Sequence, residues 1–114
     1  MKILTVVGAR PQFIKAVPVS RALSDSGIRE VLVHTGQHHD AKMSDVFFNE
    51  LNLRSPDYNL GIAGGTHGQM TGKMLAGVED LIVSEAPDAV LVYGDTNSTL
   101  AASLAASKLH VPVI

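Results

Sequence analysis

The sequence has no cysteine in its 114 residues. That excludes disulfide frameworks, thiol nucleophiles and Cys-ligated zinc or iron–sulfur sites, and it is compatible with a reducing cytoplasm, the expected location. Net charge is also small. Nine Lys and Arg stand against eleven Asp and Glu, a balance of −2 with pI ≈ 6.2. Such a chain has no electrostatic footprint for nucleic acid or an anionic membrane, so neither is an expected partner. Long apolar runs are missing as well. The longest uncharged apolar stretches are about five residues, far below the ~20 of a membrane helix, and Met1-Lys2 leads straight into a strand-like run instead of a signal-peptide core. Internal repeats and low-complexity segments are absent.

What is present suits one soluble globular domain of 12.0 kDa, with 46% hydrophobic residues. A chain of this size buries roughly two-thirds of its unfolded surface, enough for a core without staples. Ile3 to Val7, Glu30 to His34 and Ala89 to Tyr93 are apolar runs of the kind buried on both faces of a parallel sheet, and a fourth strand begins at Val111. Helical spacing follows each. Pro11 suits a first helical turn, with Phe13, Ile14, Val17 and Leu23 on one face and Gly27 as the stop. Pro18 predicts a kink, or a helix that begins later than Pro11. Lys42 to Leu51 reads as a short helix, and Asn52 to Gly65, rich in Pro, Asp, Asn and Gly, as a loop.

Thr66 and Gln69 fit a capping box opening the longest helix, which Ala86-Pro87 stops. Gly68, Gly72 and Gly77 inside it suggest close approach of a backbone or ligand, since each costs about 1 kcal/mol against Ala. Ser98 to Lys108 makes a last helix with Leu100 and Leu104 inward. Alternating strands and helices give an α/β class: a doubly wound, three-layer Rossmann-like parallel sheet.

In such sheets ligands bind beyond the carboxyl ends of strands, near a topological switch point. Three polar segments occupy those ends: Gly8-Ala9-Arg10-Pro11-Gln12, Thr35-Gly36-Gln37-His38-His39-Asp40 and Gly94-Asp95-Thr96-Asn97-Ser98. The first offers a Gly turn, a helix N-terminus, Arg10 and Lys15, which together suit a phosphate or diphosphate. Equally, Arg10 could be a solvated loop cation and Lys15 a helix-surface residue. Asp95 lies where a carboxylate can be desolvated into a general acid or base, and also where it, or Thr96, Asn97 or Ser98, can cap a helix.

Common signatures are missing. Arg10 and Phe13 occupy the second and third glycine positions of GxGxxG, and His67 and Met74 break a Walker pattern around Gly72-Lys73, so neither a nicotinamide cofactor nor P-loop hydrolysis is expected. His38-His39 with Asp40 lacks HxxxH spacing, which favours ligand contact or loop anchoring over a metal. His34, His67 and His110 are isolated and read as structural, and Met70 and Met74 as core.

The strings VVGARPQFIKAVPV, HTGQHHD, MSDVFFNELNL, PDYNLGIAGGTHGQMTG and LVYGDTNSTLAASLAASKLHVPVI cover essentially the whole chain. In order and spacing they resemble the non-hydrolysing UDP-N-acetylglucosamine 2-epimerases and the related 2-epimerases of other UDP-2-acetamido sugars. The resemblance implies the glycosyltransferase B architecture, two Rossmann-like domains across a cleft, with residues 1–114 an incomplete N-terminal domain and the C-terminal domain absent from this chain. It also implies a cytoplasmic homodimer without cofactor or metal, working in cell-surface polysaccharide precursor synthesis.

The implied reaction interconverts UDP-N-acetylglucosamine and UDP-N-acetylmannosamine: C2 loses its proton, UDP is eliminated anti to give 2-acetamidoglucal, and both add back with the proton on the opposite face. By motif match Arg10 and Lys15 bind the substrate and stabilise the leaving group, and Asp95 is a catalytic carboxylate. Gln37, His38 and Gln69 lie in segments resembling those that contact an activating second UDP-sugar, although Gly68 stands where some members carry Arg. Further catalytic residues and most uridine contacts would lie after Ile114, so the 114-residue polypeptide alone is expected to be inactive. Two other readings stand beside this one. The GARPQFIK and HTGQH variants equally resemble epimerases of a modified sugar such as UDP-2,3-diacetamido-2,3-dideoxyglucuronate, and a non-catalytic flavodoxin-like binding module would have a complete sheet with closed edges.

Overall fold

The computed structural model describes residues 1–8, 10–36, 56–62, 65–94 and 96–114. The expected helix over 42–51 lies outside them. Strand β1 (Lys2–Val7) leads into α1 (Arg10–Asp25), then β2 (Arg29–His34), β3 (Tyr58–Asn59), α2 (His67–Glu85), β4 (Ala89–Val92) and α3 (Asn97–Lys108). All strand pairs are parallel, in the order β3-β2-β1-β4. A bridge from Val90 to Val113 adds a further strand position outside β4, where Ile114 N–H donates to Val90 O at 2.8 Å. The run beginning at Val111 therefore joins the sheet as its fifth member, because β3 intervenes in the chain. β3 falls within the stretch whose composition predicts a loop. Only two residues long and polar, it gives no alternating signal, yet it extends the ladder: Asp57 N–H donates to Leu32 O at 2.8 Å and Leu60 N–H to His34 O at 2.9 Å.

Register decides which side chains share a face. Leu4 stands beside Val31 and Val90, and Val6 beside Val33 and Val92. This face packs against Val78 and Ile82 of α2 and Ala102, Ala105 and Ala106 of α3. The opposite face presents Val7 and Leu32 to Phe13 and Ala16 of α1. Helices thus flank both faces of a Rossmann-like parallel sheet. The α1 face is the more polar one: Glu30 accepts hydrogen bonds from Thr5 Oγ1 at 2.6 Å and Ser20 Oγ at 2.7 Å, and the His34 ring meets Phe13 edge to face with centroids 5.1 Å apart.

Helix α1 begins at Arg10 and runs continuously through Pro18, so the later start is not what forms. Pro11 sits in the first turn, where a missing N–H breaks no helical bond. Pro18 is exposed, and so is Ile14, whose carbonyl loses its partner to that proline; both face water, which supplies the replacement. Ile14 is consequently not in the core, and Gln12 and Ala16 are. Gly27 terminates the helix region with φ +75°.

In α2, Thr66 Oγ1 accepts from Gln69 N–H at 3.2 Å while Gln69 Oε1 accepts from Thr66 N–H at 3.0 Å, the expected capping box. At its end Ala86 adopts a left-handed conformation before Pro87. A Cβ on Gly77 would lie 3.0 Å from Leu60 Cδ1, so a side chain is what crowds that glycine. At Gly72 no atom lies within 4 Å of an added Cβ, and at Gly68 only Thr66 Oγ1 at 4.0 Å, so no backbone of the described residues crowds either glycine. In α3 the inward positions are Ser98, Ala101, Ala102, Ala105 and Ala106, with Leu100 59% and Leu104 39% exposed. The leucines were the expected core; the helix instead turns its alanines inward, bringing its backbone against α2 and the sheet.

Tyr93, next after β4, packs with the α1-side core, and its hydroxyl is buried without a hydrogen-bond partner among the described residues. Burial, and secondarily the charge of Glu30, push its pKa up to about 12 from 10.0. The folded state then holds this proton where the unfolded state has lost it, so stability falls as pH rises from about 10 toward 12. Tyr93→Phe is expected to lessen that alkaline decline and to raise stability at neutral pH by about 1 kcal/mol, since it removes a buried hydroxyl with no partner among the described residues. Denaturant unfolding across pH checks both. Gly72→Ala is expected to raise stability by about 0.5–1 kcal/mol. Gly36→Ala should lower it by about 2 kcal/mol or more, because φ is +88° and the added Cβ would stand 2.6 Å from the Ile62 backbone nitrogen. Thermal unfolding of the two variants gives opposite shifts.

Candidate functional site

Parallel strands put every carboxyl end, and every following helix N-terminus, at one edge of the sheet. Here that edge gathers the ends of β1, β2 and β4 with the first turns of α1, α2 and α3. The adjoining chain segments, 8–12, 35–36 and 94–98, are those that the strand-end rule selects. β1 and β4 are neighbours in the sheet but not consecutive in the chain, and β2 lies on the other side of β1, so the order reverses at β1. The switch point is between β1 and β4.

One side chain spans it. Gln12, 4% exposed, accepts the Gly8 N–H at Oε1, 2.8 Å, and through Nε2 donates to the Tyr93 carbonyl and to Thr96 Oγ1 at 3.0 Å, with Thr99 Oγ1 at 3.3 Å. Thr99 Oγ1 donates to the same Tyr93 carbonyl. Gly94 has φ +69°, a left-handed turn that sends the chain from β4 toward α3. The N-cap of α3 is Thr96, in a reciprocal bond with Thr99, so the capping role for which Asp95 was one candidate is filled by its neighbour.

Two further polar contacts close the edge. Thr35 Oγ1, after β2, lies 2.9 Å from Ser98 Oγ in the first turn of α3, both fully buried. Asn97 Nδ2 lies 2.9 Å from His67 Nδ1, joining the first turns of α3 and α2. His67 is therefore structural in the expected sense, and His34 is a core residue against Phe13. Chemically, three helix N-termini beside one another favour an anionic group, through free backbone donors and the positive ends of the helix dipoles.

Among the residues singled out from sequence, Arg10 opens α1 at this edge. Lys15 is exposed on α1, farther from the strand end. Gln69 is exposed in the first turn of α2, with Oε1 committed to the capping box. Gln37, His38 and Asp95 lie outside the described residues, as does the His39-Asp40 pair. The structure thus brings the first and third segments together through Gln12, and the start of the second to the third through Thr35 and Ser98. Sequence reasoning passed over Gln12, although its i, i+4 relation to buried Ala16 put it on the inward face of α1. Thr35 and Ser98 had no such signal, because their contact depends on the sheet order.

Comparison with known proteins bears on this edge. The sequence profile of the UDP-N-acetylglucosamine 2-epimerase family matches residues 21–114. A UDP-2,3-diacetamido-2,3-dideoxy-D-glucuronate 2-epimerase of Pseudomonas aeruginosa is 64% identical over 114 residues, covering 99% of this chain and 32% of that protein. A UDP-N-acetylglucosamine 2-epimerase homolog of Methanococcus maripaludis is 53% identical over 113 residues, 99% of this chain and 31% of that protein. The crystal structure of the Methanocaldococcus jannaschii UDP-GlcNAc 2-epimerase, in complex with UDP-GlcNAc and UDP, superposes with a TM-score of 0.94 at 49% identity, over 99% of this chain and 31% of that one. The chain spans about a third of the length of these relatives. With the profile matched over most of the sequence and the fold reproduced throughout, the chain belongs to the UDP-N-acetylglucosamine 2-epimerase family.

Proposed function

We propose that the full-length protein carrying this chain is a nucleotide-sugar 2-epimerase acting on a UDP-2,3-diacetamido-2,3-dideoxyglucuronate-type substrate. The observation that carries the finer choice is the 64% identity to the Pseudomonas enzyme of that name, against 53% to the Methanococcus homolog and 49% to the Methanocaldococcus enzyme named for UDP-N-acetylglucosamine. UDP-N-acetylglucosamine, first expected from the motif resemblance, is the second reading, favoured by the family's own description. The two-domain glycosyltransferase B arrangement, with residues 1–114 in its N-terminal domain, a homodimer and a cytoplasmic location belong to the same proposal.

The chemistry follows from the substrate. The C2 hydrogen has no adjacent carbonyl to acidify it, so its removal is coupled to departure of UDP from C1, leaving a C1–C2 double bond; re-addition of UDP and a proton on the opposite face of C2 completes inversion. Negative charge gathers on the departing diphosphate. The helix N-termini at the sheet edge, with Arg10 and Lys15, stabilise it in this reading. Asp95, between Gly94 and the cap Thr96, is the acid/base carboxylate. Gln37, His38 and Gln69 belong to a second UDP-sugar site in the same reading, and Gln69 is exposed in the first turn of α2.

Full-length protein incubated in heavy water with either nucleotide sugar is expected to incorporate deuterium at C2 as it epimerises, read by NMR. The kcat/KM is expected to favour the diacetamido uronate by about 10- to 100-fold, the range for a charged hydrogen-bonding group that the site is built to receive. A preference for UDP-N-acetylglucosamine would hand the assignment to the second reading. Asp95→Asn should lower kcat by about 100-fold or more in the same assay.

A further inference from the structure

Outside the assigned site residues stand the Tyr58–Glu85–Lys2 cluster, away from the carboxyl ends of the strands, the exposed Leu100 and Leu104 on α3, and the buried amide of Gln12. Gln12 carries an inference furthest. We infer that Gln12 is a positioning residue: one buried amide sets the two strand-end loops at the switch point in a fixed geometry relative to each other. This rests on the proposed epimerase reading and adds a residue to its machinery.

The argument is one of connectivity. Gln12 holds Gly8, two residues before Arg10, by its oxygen, and holds Tyr93 and Thr96, on either side of the Gly94-Asp95 pair, by its nitrogen. Arg10 is therefore flanked by Gln12 and a residue Gln12 binds, and Asp95 lies inside the short span whose two ends Gln12 grips. The pairing of β1 with β4 runs from Ile3 and Ala89 to Val6 and Val92 and stops there, so beyond the strands the backbone ladder no longer fixes one loop against the other. A side-chain bridge takes over there. Elimination across C1–C2 needs the leaving-group cation and the proton acceptor set to a fraction of an ångström, and misplacement by about 1 Å can cost on the order of 100-fold in rate. The two ends of the amide also have opposite roles: the oxygen faces an N–H and the nitrogen faces a carbonyl and two hydroxyls, so the amide has one productive orientation.

The test uses full-length protein with two substitutions. Gln12→Met keeps the length and apolar packing but removes both polar ends. Gln12→Glu keeps the acceptor toward Gly8 but sets a second oxygen where Nε2 donates, against the Tyr93 carbonyl, so it cuts only the β4-side half of the bridge. In both variants kcat is expected to fall about 10-fold or more, with KM changed less than about threefold and with the fold intact by circular dichroism. Hydrogen exchange at the amides of Gly8, Gly94 and Thr96 should accelerate together in Gln12→Met, while the amide of Leu32 in β2 is unchanged. An unchanged kcat in folded Gln12→Met overturns the inference. So does a loss of kcat that only follows the folded fraction in both variants. If the parent turns over neither nucleotide sugar, the epimerase reading fails, and the exchange measurement alone then decides: unchanged loop exchange in Gln12→Met refutes the bridge, and paired acceleration supports it.

Discussion

Everything in this structure hangs on β1 being hydrogen-bonded along both edges, to β2 on one side and β4 on the other, with all three strands running the same way. A strand in that position has no solvent face, and its residues from Ile3 to Val7 are all buried. The parallel sense then dictates that chain leaves the sheet at one edge only, through segments that must each turn into a helix. Burial drives the pairing; the pairing makes an edge rich in backbone N–H groups and polar side chains beside an apolar sheet. The site is a by-product of how the core is satisfied.

At that edge the bonding changes character. Inside the sheet, position is fixed by a ladder of backbone bonds and by the match of Leu4, Val31 and Val90 across strands. Past the strand ends, it is fixed by a few side chains: Gln12, the Thr35–Ser98 hydroxyl pair, and Asn97 with His67. Each links segments far apart in sequence, and each is a neutral or weakly polar contact rather than an ion pair. Charges are left for the solvent-facing side, where Lys15 stands exposed. Among the described contacts, this edge is thus held together without a charged side chain.

The strands and helices announced themselves in the sequence wherever burial was symmetrical and the run long. β1, β2 and β4 are continuous apolar runs, and α2 carried its own start in Thr66 and Gln69. Where sequence reasoning went astray, it assumed that the largest apolar side chain at helical spacing faces inward. Leu100, Leu104 and Ile14 are exposed while Ala105, Ala106 and Ala16 are not, because distance between elements, rather than hydrophobicity alone, selects the inward face. β3 escaped notice because two polar residues become a strand only by lying beside Val33 and His34. For the site, the strand-end rule picked segments that the sheet gathers at one edge, and the roles given to Arg10, Lys15 and Asp95 are those that motif resemblance implies. What held those segments together stayed invisible, since contacts such as Gln12 with Tyr93 exist only once the strand order 3-2-1-4 is known.

The alanine face of α3 has one more implication. Shape gives little rotational information to a helix whose inward surface is four methyl groups, for there are no long side chains to lodge between those of its neighbours. The polar bonds that define its angular setting are concentrated in its first turn, at Asn97, Ser98 and Thr99. The helix is indexed from the site end: the side-chain bonds that fix its rotation are the ones that border the strand-end segments.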